Sequence, residues 1–177
     1  MTDDATDAKR PDGIGREIEE RSSQHHHAST LSLIVLGALV AWGASGFAGS
    51  RNEDFAVDAA ALALHVSTPT RARNGEIYET RVSVAARERI GKLVVGISPA
   101  LWRDSTVNSL VPAPAEESHE DDLFRFTYGP VEAGQTFEAK FDLQINPTRI
   151  GSERGVVAVF DGNRKLADLP LQLRVLP

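Results

Sequence analysis

The sequence predicts a mainly β protein: one N-terminal transmembrane helix followed by a two-sheet antiparallel sandwich of seven or eight strands. Residues 31–49 contain no charged side chain, which matches the roughly 20 apolar residues that a membrane-spanning helix needs. After residue 60, apolar and polar residues alternate with a period of two, as in strands with one buried face. Turn-forming pairs such as Asn74-Gly75 separate these runs.

Residues 1–29 are predicted to be a disordered cytoplasmic tail. The first thirty residues carry four basic and seven acidic side chains and few large apolar ones. Such a composition buries too little surface to offset the entropy of ordering. The triplet His25, His26 and His27 offers imidazoles of the kind that bind transition metals. Because adjacent positions on a disordered tail hold no fixed geometry, we predict no metal site there.

Residues 30–49 are predicted to be a transmembrane helix, retained as a signal anchor. Two alternatives stay open, a secretory signal cleaved after Ala48 and a buried helix of a soluble fold. The preceding segment is long and contains Glu17, Glu19 and Glu20, whereas a signal peptide begins with a short basic region. The stretch also lacks the polar face of a surface helix. Both observations favour the anchor.

The distribution of arginine predicts the orientation of this helix. Arg16 and Arg21 lie shortly before the apolar stretch, whereas only Arg51 lies shortly after it. Positively charged flanks remain in the cytoplasm. We therefore expect a protein of the cytoplasmic membrane with its N-terminus inside and its C-terminal domain outside.

Small residues recur every four positions along the apolar stretch, at Gly37, Ala41, Ser45 and Gly49. On a helix they form a groove that a second transmembrane helix can approach closely. Ten of the nineteen residues from 31 to 49 are Gly, Ala or Ser, so composition alone also produces such a stripe. Helix packing and chance are both retained as explanations.

Residues 50–60 are predicted to be a short tether and residues 61–177 to be the β domain. The clearest strand is 137–145, in which every second residue is apolar. The run 156–160 is apolar throughout, as in a strand covered on both faces. Asp161-Gly162-Asn163 is predicted to be the tight turn of a hairpin.

Two short patterns in this domain resemble those of a known family. Arg73-Asn74-Gly75-Glu76 and Val131-Glu132-Ala133-Gly134-Gln135 each lead into a strand. This rhythm resembles that of bacterial immunoglobulin-like and fibronectin-like modules, over about residues 60–177. The Cys…Trp…Cys signature of true immunoglobulin domains is absent. The resemblance implies the ectodomain of a bacterial single-pass membrane protein, in a fold that mostly serves binding and spacing.

Composition excludes several kinds of chemistry. The chain has no cysteine, so disulfides, thiolate metal sites and a catalytic thiol are excluded. Its net charge of −6 argues against a nucleic-acid partner. The sequence contains no nucleophile elbow, zinc-binding histidine pair or phosphate-binding loop, and His65 is expected on the exposed face of a strand. We predict no enzyme activity, no catalytic residue, no metal and no cofactor.

The acidic segment Glu116–Asp122 has two explanations. Clustered carboxylates bind calcium weakly in some extracellular modules, although this spacing matches no EF-hand loop. The alternative is a solvated, mobile loop between two strands.

The segment around Trp102 also has two explanations. Trp102, Arg103 and Asn108 lie between two predicted strands, and tryptophan and arginine are common in binding hot spots. Equally, a tryptophan at such a place often closes the end of a sandwich core. The sequence leaves a recognition surface and a core role open.

The function predicted from these features is that of a non-catalytic, membrane-anchored accessory or assembly protein. Its partners are the lipid bilayer and an integral membrane protein, reached through the helix, the β domain or both. The alternative is an envelope ligand-binding or sensor module with a short cytoplasmic tail.

Overall fold

A computed structural model describes residues 29–44 and 50–177, which belong to two separate compact units. The first unit contains helix α1 (Thr30–Ala44). Ser29 caps it, because its Oγ accepts a hydrogen bond from the backbone N of Leu31 at 3.2 Å. Every residue of α1 is exposed. The predicted span begins where α1 begins, while residues 45–49, including Ser45 and Gly49, lie outside the described residues.

The apolar helix is short in the part of the chain that the structure describes. Across residues 29–44 and 50–177, no helix has the length and apolarity needed to cross a membrane. Helix α1 itself has 15 residues.

The second unit is a sandwich of two sheets, which confirms the prediction of a mainly β fold. In spatial order the five strands of sheet A are β1 (Asn52–Asp58), β2 (Leu62–Pro69), β4 (Ile77–Ala86), β9 (Thr136–Ile145) and β6 (Ser105–Val111). The six strands of sheet B are β3 (Arg71–Arg73), β11 (Arg164–Leu176), β10 (Gly151–Asp161), β5 (Leu93–Ile97), β8 (Leu123–Thr127) and β7 (Glu116–Glu120). A one-turn helix, α2 (Pro99–Trp102), connects β5 to β6.

The core lies between the two sheets and is built from the alternating residues of the longest strands. In β9, for example, Ala139, Phe141, Leu143 and Ile145 are fully buried. Neighbouring strands pair antiparallel except β3 and β11, which pair parallel. The run Val156–Phe160 lies in β10, the central part of sheet B, and is largely buried on both faces as predicted. The turn after Asp161 joins β10 directly to β11.

The number of strands and the tether were predicted wrongly. The described part of the domain has eleven strands, because short polar edge strands complete both sheets. Within the predicted tether 50–60, β1 pairs with β2 along its whole length. Phe55 and Val57 of β1 lie opposite Val66 and Leu64 and pack against the core. The carboxylates of β1, at Glu53, Asp54 and Asp58, hid this alternation in the sequence.

The segment between β5 and β6 packs closely on sheet B. The backbone N of Val156 donates a hydrogen bond to Ser98 Oγ at 2.9 Å. Gly155 lies beneath α2, and a Cβ atom there would lie 2.7 Å from both Ser98 Cβ and Leu101 Cγ. Since no side chain fits in that space, Gly155 permits α2 to lie against β10.

Tyr128 carries a buried polar atom that the fold does not satisfy. Its side chain is 6% exposed, and its ring lies 4.6 Å from the ring of Phe137 between centroids. Among the described residues its hydroxyl has no hydrogen-bond partner. Burial, together with the negative charge of Glu117, raises the pKa of Tyr128 to about 12.

The substitution Tyr128→Phe is expected to leave the free energy of unfolding at pH 7 unchanged, or to raise it by up to about 1 kcal/mol, because it removes an unsatisfied buried hydroxyl. Between the unfolded pKa of 10.0 and the folded pKa of about 12, only the unfolded chain releases the phenolic proton. Wild-type stability should therefore fall as pH rises through this window. The variant should lack this part of the loss.

Urea unfolding of the full chain at pH 7 and pH 11, followed by circular dichroism, measures both effects. A loss at pH 7 of more than about 1 kcal/mol, the net worth of a typical hydrogen bond, would mean that the hydroxyl has a partner and would contradict the prediction.

Candidate functional site

Trp102 lies in the core, at the end of α2. Its side chain is only 8% exposed. The centroid of its ring lies 6.0 Å from that of Phe124, 5.5 Å from that of Phe126 and 5.4 Å from that of Phe141. Of the two roles open for Trp102, the structure therefore shows the core role, and a surface role is wrong for this residue. The aromatic strand β8, which faces it, provides the enclosure that the local sequence did not reveal.

The two other residues of the predicted recognition surface remain accessible. Arg103 is exposed and pairs with Glu153, with 3.0 Å between Nη1 and Oε1. Asn108 is exposed at an irregularity in β6, where the register shifts between Val107 and Ser109. A recognition role for Arg103 and Asn108 stays a prediction.

Arg149 is a buried cation that no sequence pattern predicts. It is 5% exposed. Its Nη1 donates to Ser105 Oγ at 2.7 Å, and its Nη2 donates to the carbonyl oxygens of Ala100 and Leu101 at 3.3 and 3.2 Å. Burial lowers the pKa of Arg149, and the nearby Tyr78, Glu153 and Asp104 oppose this effect. The guanidinium thus ties the loop before β10 to α2 and to the start of β6. No pattern marks an arginine in the loop 146–150 as buried.

Replacing this guanidinium should destabilise the fold. Arg149→Met is expected to lower the free energy of unfolding by about 2–4 kcal/mol, because it removes three charge-assisted hydrogen bonds and leaves the carbonyl oxygen of Leu101 without a donor. The carbonyl oxygen of Ala100 keeps a hydrogen bond from the backbone N of Arg103. The matched control is Arg103→Met, which removes an exposed ion pair worth at most about 1 kcal/mol. Chemical unfolding of both variants measures the difference. Equal losses would contradict a special role for Arg149.

The acidic segment Glu116–Asp122 is a hairpin and not a loop. Glu116–Glu120 form β7, an edge strand of sheet B, and pair with β8. The backbone then turns at Asp121 and Asp122, where φ is 52° and 57°. Backbone pairing with β8 and the contact of the His119 ring with Phe124 hold this polar strand in the sheet. Its acidic composition concealed the strand in the sequence.

Arg125 of β8 forms ion pairs with two of the acidic residues of this hairpin. It is 6% exposed. Its Nη1 lies 3.3 Å from Glu120 Oε2 and its Nη2 lies 2.5 Å from Asp121 Oδ2. Its guanidinium carbon also lies 4.7 Å from the ring centroid of Phe160, a cation–π contact. Within the described residues, no group of three or more His, Cys, Asp or Glu side chains is placed to hold a metal ion.

His65 lies exposed on β2, as predicted from its phase in the strand. It faces away from the core residues Leu64 and Val66, its neighbours along the strand.

A groove of about 620 Å³ opens where β1, at the edge of sheet A, meets β3, β10 and β11 of sheet B. We call it the arginine groove. Its lining includes three arginines, one acidic residue and three apolar side chains: Arg71, Arg154, Arg174, Glu53, Phe55, Pro170 and Leu171.

The sheet register explains why the three arginines meet. Arg174 of β11 pairs with Arg71 of β3 on one side and with Ser152 of β10 on the other. Arg154 lies two residues beyond Ser152 on the same strand, and therefore on the same face. All three are exposed. Same-face diagonal neighbours of this kind have Cα atoms roughly 7–8 Å apart.

The three arginines of the arginine groove have no carboxylate partner among the described residues. Among the described residues, the structure gives no ion pair and no side-chain hydrogen bond to Arg71, Arg154 or Arg174. The only acidic lining residue, Glu53, accepts a hydrogen bond from the Thr70 hydroxyl. No local sequence pattern predicts this site, because positions 71, 154 and 174 meet only through the pairing of β11 with β3 on one side and with β10 on the other. The one available signal was the alternation of β11, which places Arg174 outward.

Comparisons with known proteins add little. No protein-family model matches the chain, and no curated protein matches it. Among solved structures it is similar to WR4, an MSP family member of C. elegans, with 8% identity, a TM-score of 0.35, and coverage of 63% of this chain and 97% of that one. It is also similar to a GH20 exo-β-N-acetylglucosaminidase from Vibrio harveyi, solved in complex with N-acetylglucosamine. The identity is 10%, the TM-score is 0.31, and the coverage is 73% of this chain and 18% of that one. Likenesses this slight carry no argument.

Proposed function

We propose that this chain is a non-catalytic, single-pass protein of a bacterial cytoplasmic membrane. Its helix anchors an immunoglobulin-like sandwich outside the membrane, where the protein serves as an accessory or assembly subunit of an integral membrane partner. The observation that carries the proposal is helix α1. Its large apolar side chains are 51–69% exposed, and they are distributed around its whole circumference.

A bilayer is the environment that suits such a helix. Soluble monomers rarely expose a contiguous apolar patch larger than a few hundred Å². A helix that is apolar on one side can cover that side by packing on a domain, whereas α1 has no polar side to leave in water. Its 15 residues extend about 22 Å. The uncharged sequence continues to Gly49. As a helix, the predicted span 30–49 would have a length close to the ~30 Å thickness of a hydrocarbon core.

The orientation and the partner follow from neighbouring features. Arg16 and Arg21 favour a cytoplasmic tail. Seven residues separate α1 from β1, and a domain on so short a connection meets partners close to the membrane. Gly37 and Ala41 lie one turn apart on α1 and are exposed. Small residues at such positions allow the backbone of a second transmembrane helix to approach closely.

Charged substitutions in α1 test the anchor. In Val35→Arg/Leu39→Arg, each arginine is expected to disfavour insertion by roughly 2.5–3.5 kcal/mol. The wild-type chain should stay in the membrane pellet after extraction with alkaline carbonate, and the variant should appear in the supernatant.

The matched control adds the same charge to the β domain. Ile77 and Ile150 are exposed apolar residues of that domain, so Ile77→Arg/Ile150→Arg should remain in the pellet. Release of the wild-type chain by carbonate would contradict the proposal, as would retention of the variant with two arginines in α1.

A second function, an envelope ligand-binding or sensor module, is favoured by the arginine groove. Deletion of the N-terminal tail distinguishes the two proposed functions. A sensor that reports through the membrane should lose its signal when residues 1–24 are deleted, whereas an accessory subunit should keep its activity.

A further inference from the structure

In the part of the chain that the structure describes, the three arginines of the arginine groove lack the carboxylate partners that most other surface arginines of the domain have. Five of those others lie beside carboxylates: Arg81 with Glu79 and Glu138, Arg87 with Asp58, Arg89 with Glu132, Arg103 with Glu153 and Arg164 with Asp161. The three groove arginines instead neighbour one another across strands. Like charges at such positions destabilise a sheet. A bound anion would remove this repulsion.

The geometry points to a site for a phosphate-bearing ligand, and we propose that the arginine groove binds phosphate monoesters or diesters. Guanidinium groups donate two parallel hydrogen bonds to phosphate oxygens. Three of them on adjacent strands approach a tetrahedral anion from several directions. With three arginines and one glutamate, the lining has a formal net charge of +2.

The shape and the apolar part of the lining favour an organic phosphate over a bare ion. The volume of about 620 Å³ lies within the roughly 300–1,000 Å³ of ligand pockets. Phe55, half-buried on β1, and Pro170 of β11 provide apolar contact beside the arginines. A phosphate would meet the guanidinium groups, and the group esterified to it would lie against these two side chains.

Two sources supply this chemistry, a soluble phosphoester and the headgroup of an anionic phospholipid. The assignment concerns the folded domain and does not depend on insertion of α1. It also gives a ligand class to the second of the two functions proposed above.

The test uses the full chain and its apparent melting temperature at constant ionic strength and pH 7. One arm titrates phenyl phosphate and inorganic phosphate, with the protein in uncharged detergent and chloride as the reference anion. The other arm compares nanodiscs of phosphatidylcholine with nanodiscs that contain phosphatidylglycerol. A ligand that binds only the folded state should raise the melting temperature by roughly 3–6 °C near saturation.

The variant Arg71→Gln/Arg154→Gln/Arg174→Gln should lose this rise. Without ligand this variant should melt at the wild-type temperature or above, because the repulsion between the arginines is gone. If the three arginines had a merely structural role, their replacement would lower the melting temperature. The control Arg81→Gln/Arg89→Gln/Arg164→Gln removes the same charge outside the groove and should keep the rise.

Each outcome decides the proposal. A higher melting temperature with phenyl phosphate but not with phosphatidylglycerol identifies a soluble phosphoester as the ligand. A higher melting temperature with phosphatidylglycerol but not with phenyl phosphate identifies a lipid headgroup, and a rise in both arms shows that the site accepts either source. No rise in either arm of the wild-type test would overturn the proposal. An equal rise in the groove variant and its control would also overturn it.

Discussion

The fold depends on the contact between the two sheets through the side chain of Phe141. This ring, on β9 of sheet A, is fully buried. Its centroid lies 5.4 Å from that of Phe126 on sheet B and 5.4 Å from that of Trp102 on α2. Aromatic contacts of this kind add about 0.5–1.5 kcal/mol per pair to the burial of the rings. They hold both sheets and the one-turn helix in a single core.

Because the core is closed, the margins and outer faces of the sheets are the surfaces through which the domain can bind a ligand. The chain leaves sheet A at the end of β2 and enters sheet B at β3, with only Thr70 between them. That crossing brings Arg71 beside Arg174 and leaves β1 at the margin of the groove. The groove is therefore a consequence of how the sandwich is connected, and its cationic character comes from outward positions that the core does not need.

The sequence predicted best what depends on neighbouring residues along the chain. Alternation located the long strands, including β9 and the last part of β11, because one buried face imposes a period of two. It failed for β1 and β7, where carboxylates occupy strand positions that the partner strand stabilises. The burial of Trp102 and Arg149 and the meeting of the three groove arginines depend on contacts between distant parts of the chain. No local pattern encodes those contacts.

The most direct test of the proposed function is affinity purification of the full chain from its native membrane in mild, uncharged detergent, with the co-purified proteins identified and quantified by mass spectrometry. We expect one integral membrane protein in stoichiometric amount. It should be lost with Gly37→Leu/Ala41→Leu and kept with Val35→Leu/Leu39→Phe, which enlarges the opposite side of α1. Recovery of the intact wild-type chain alone would contradict the accessory role.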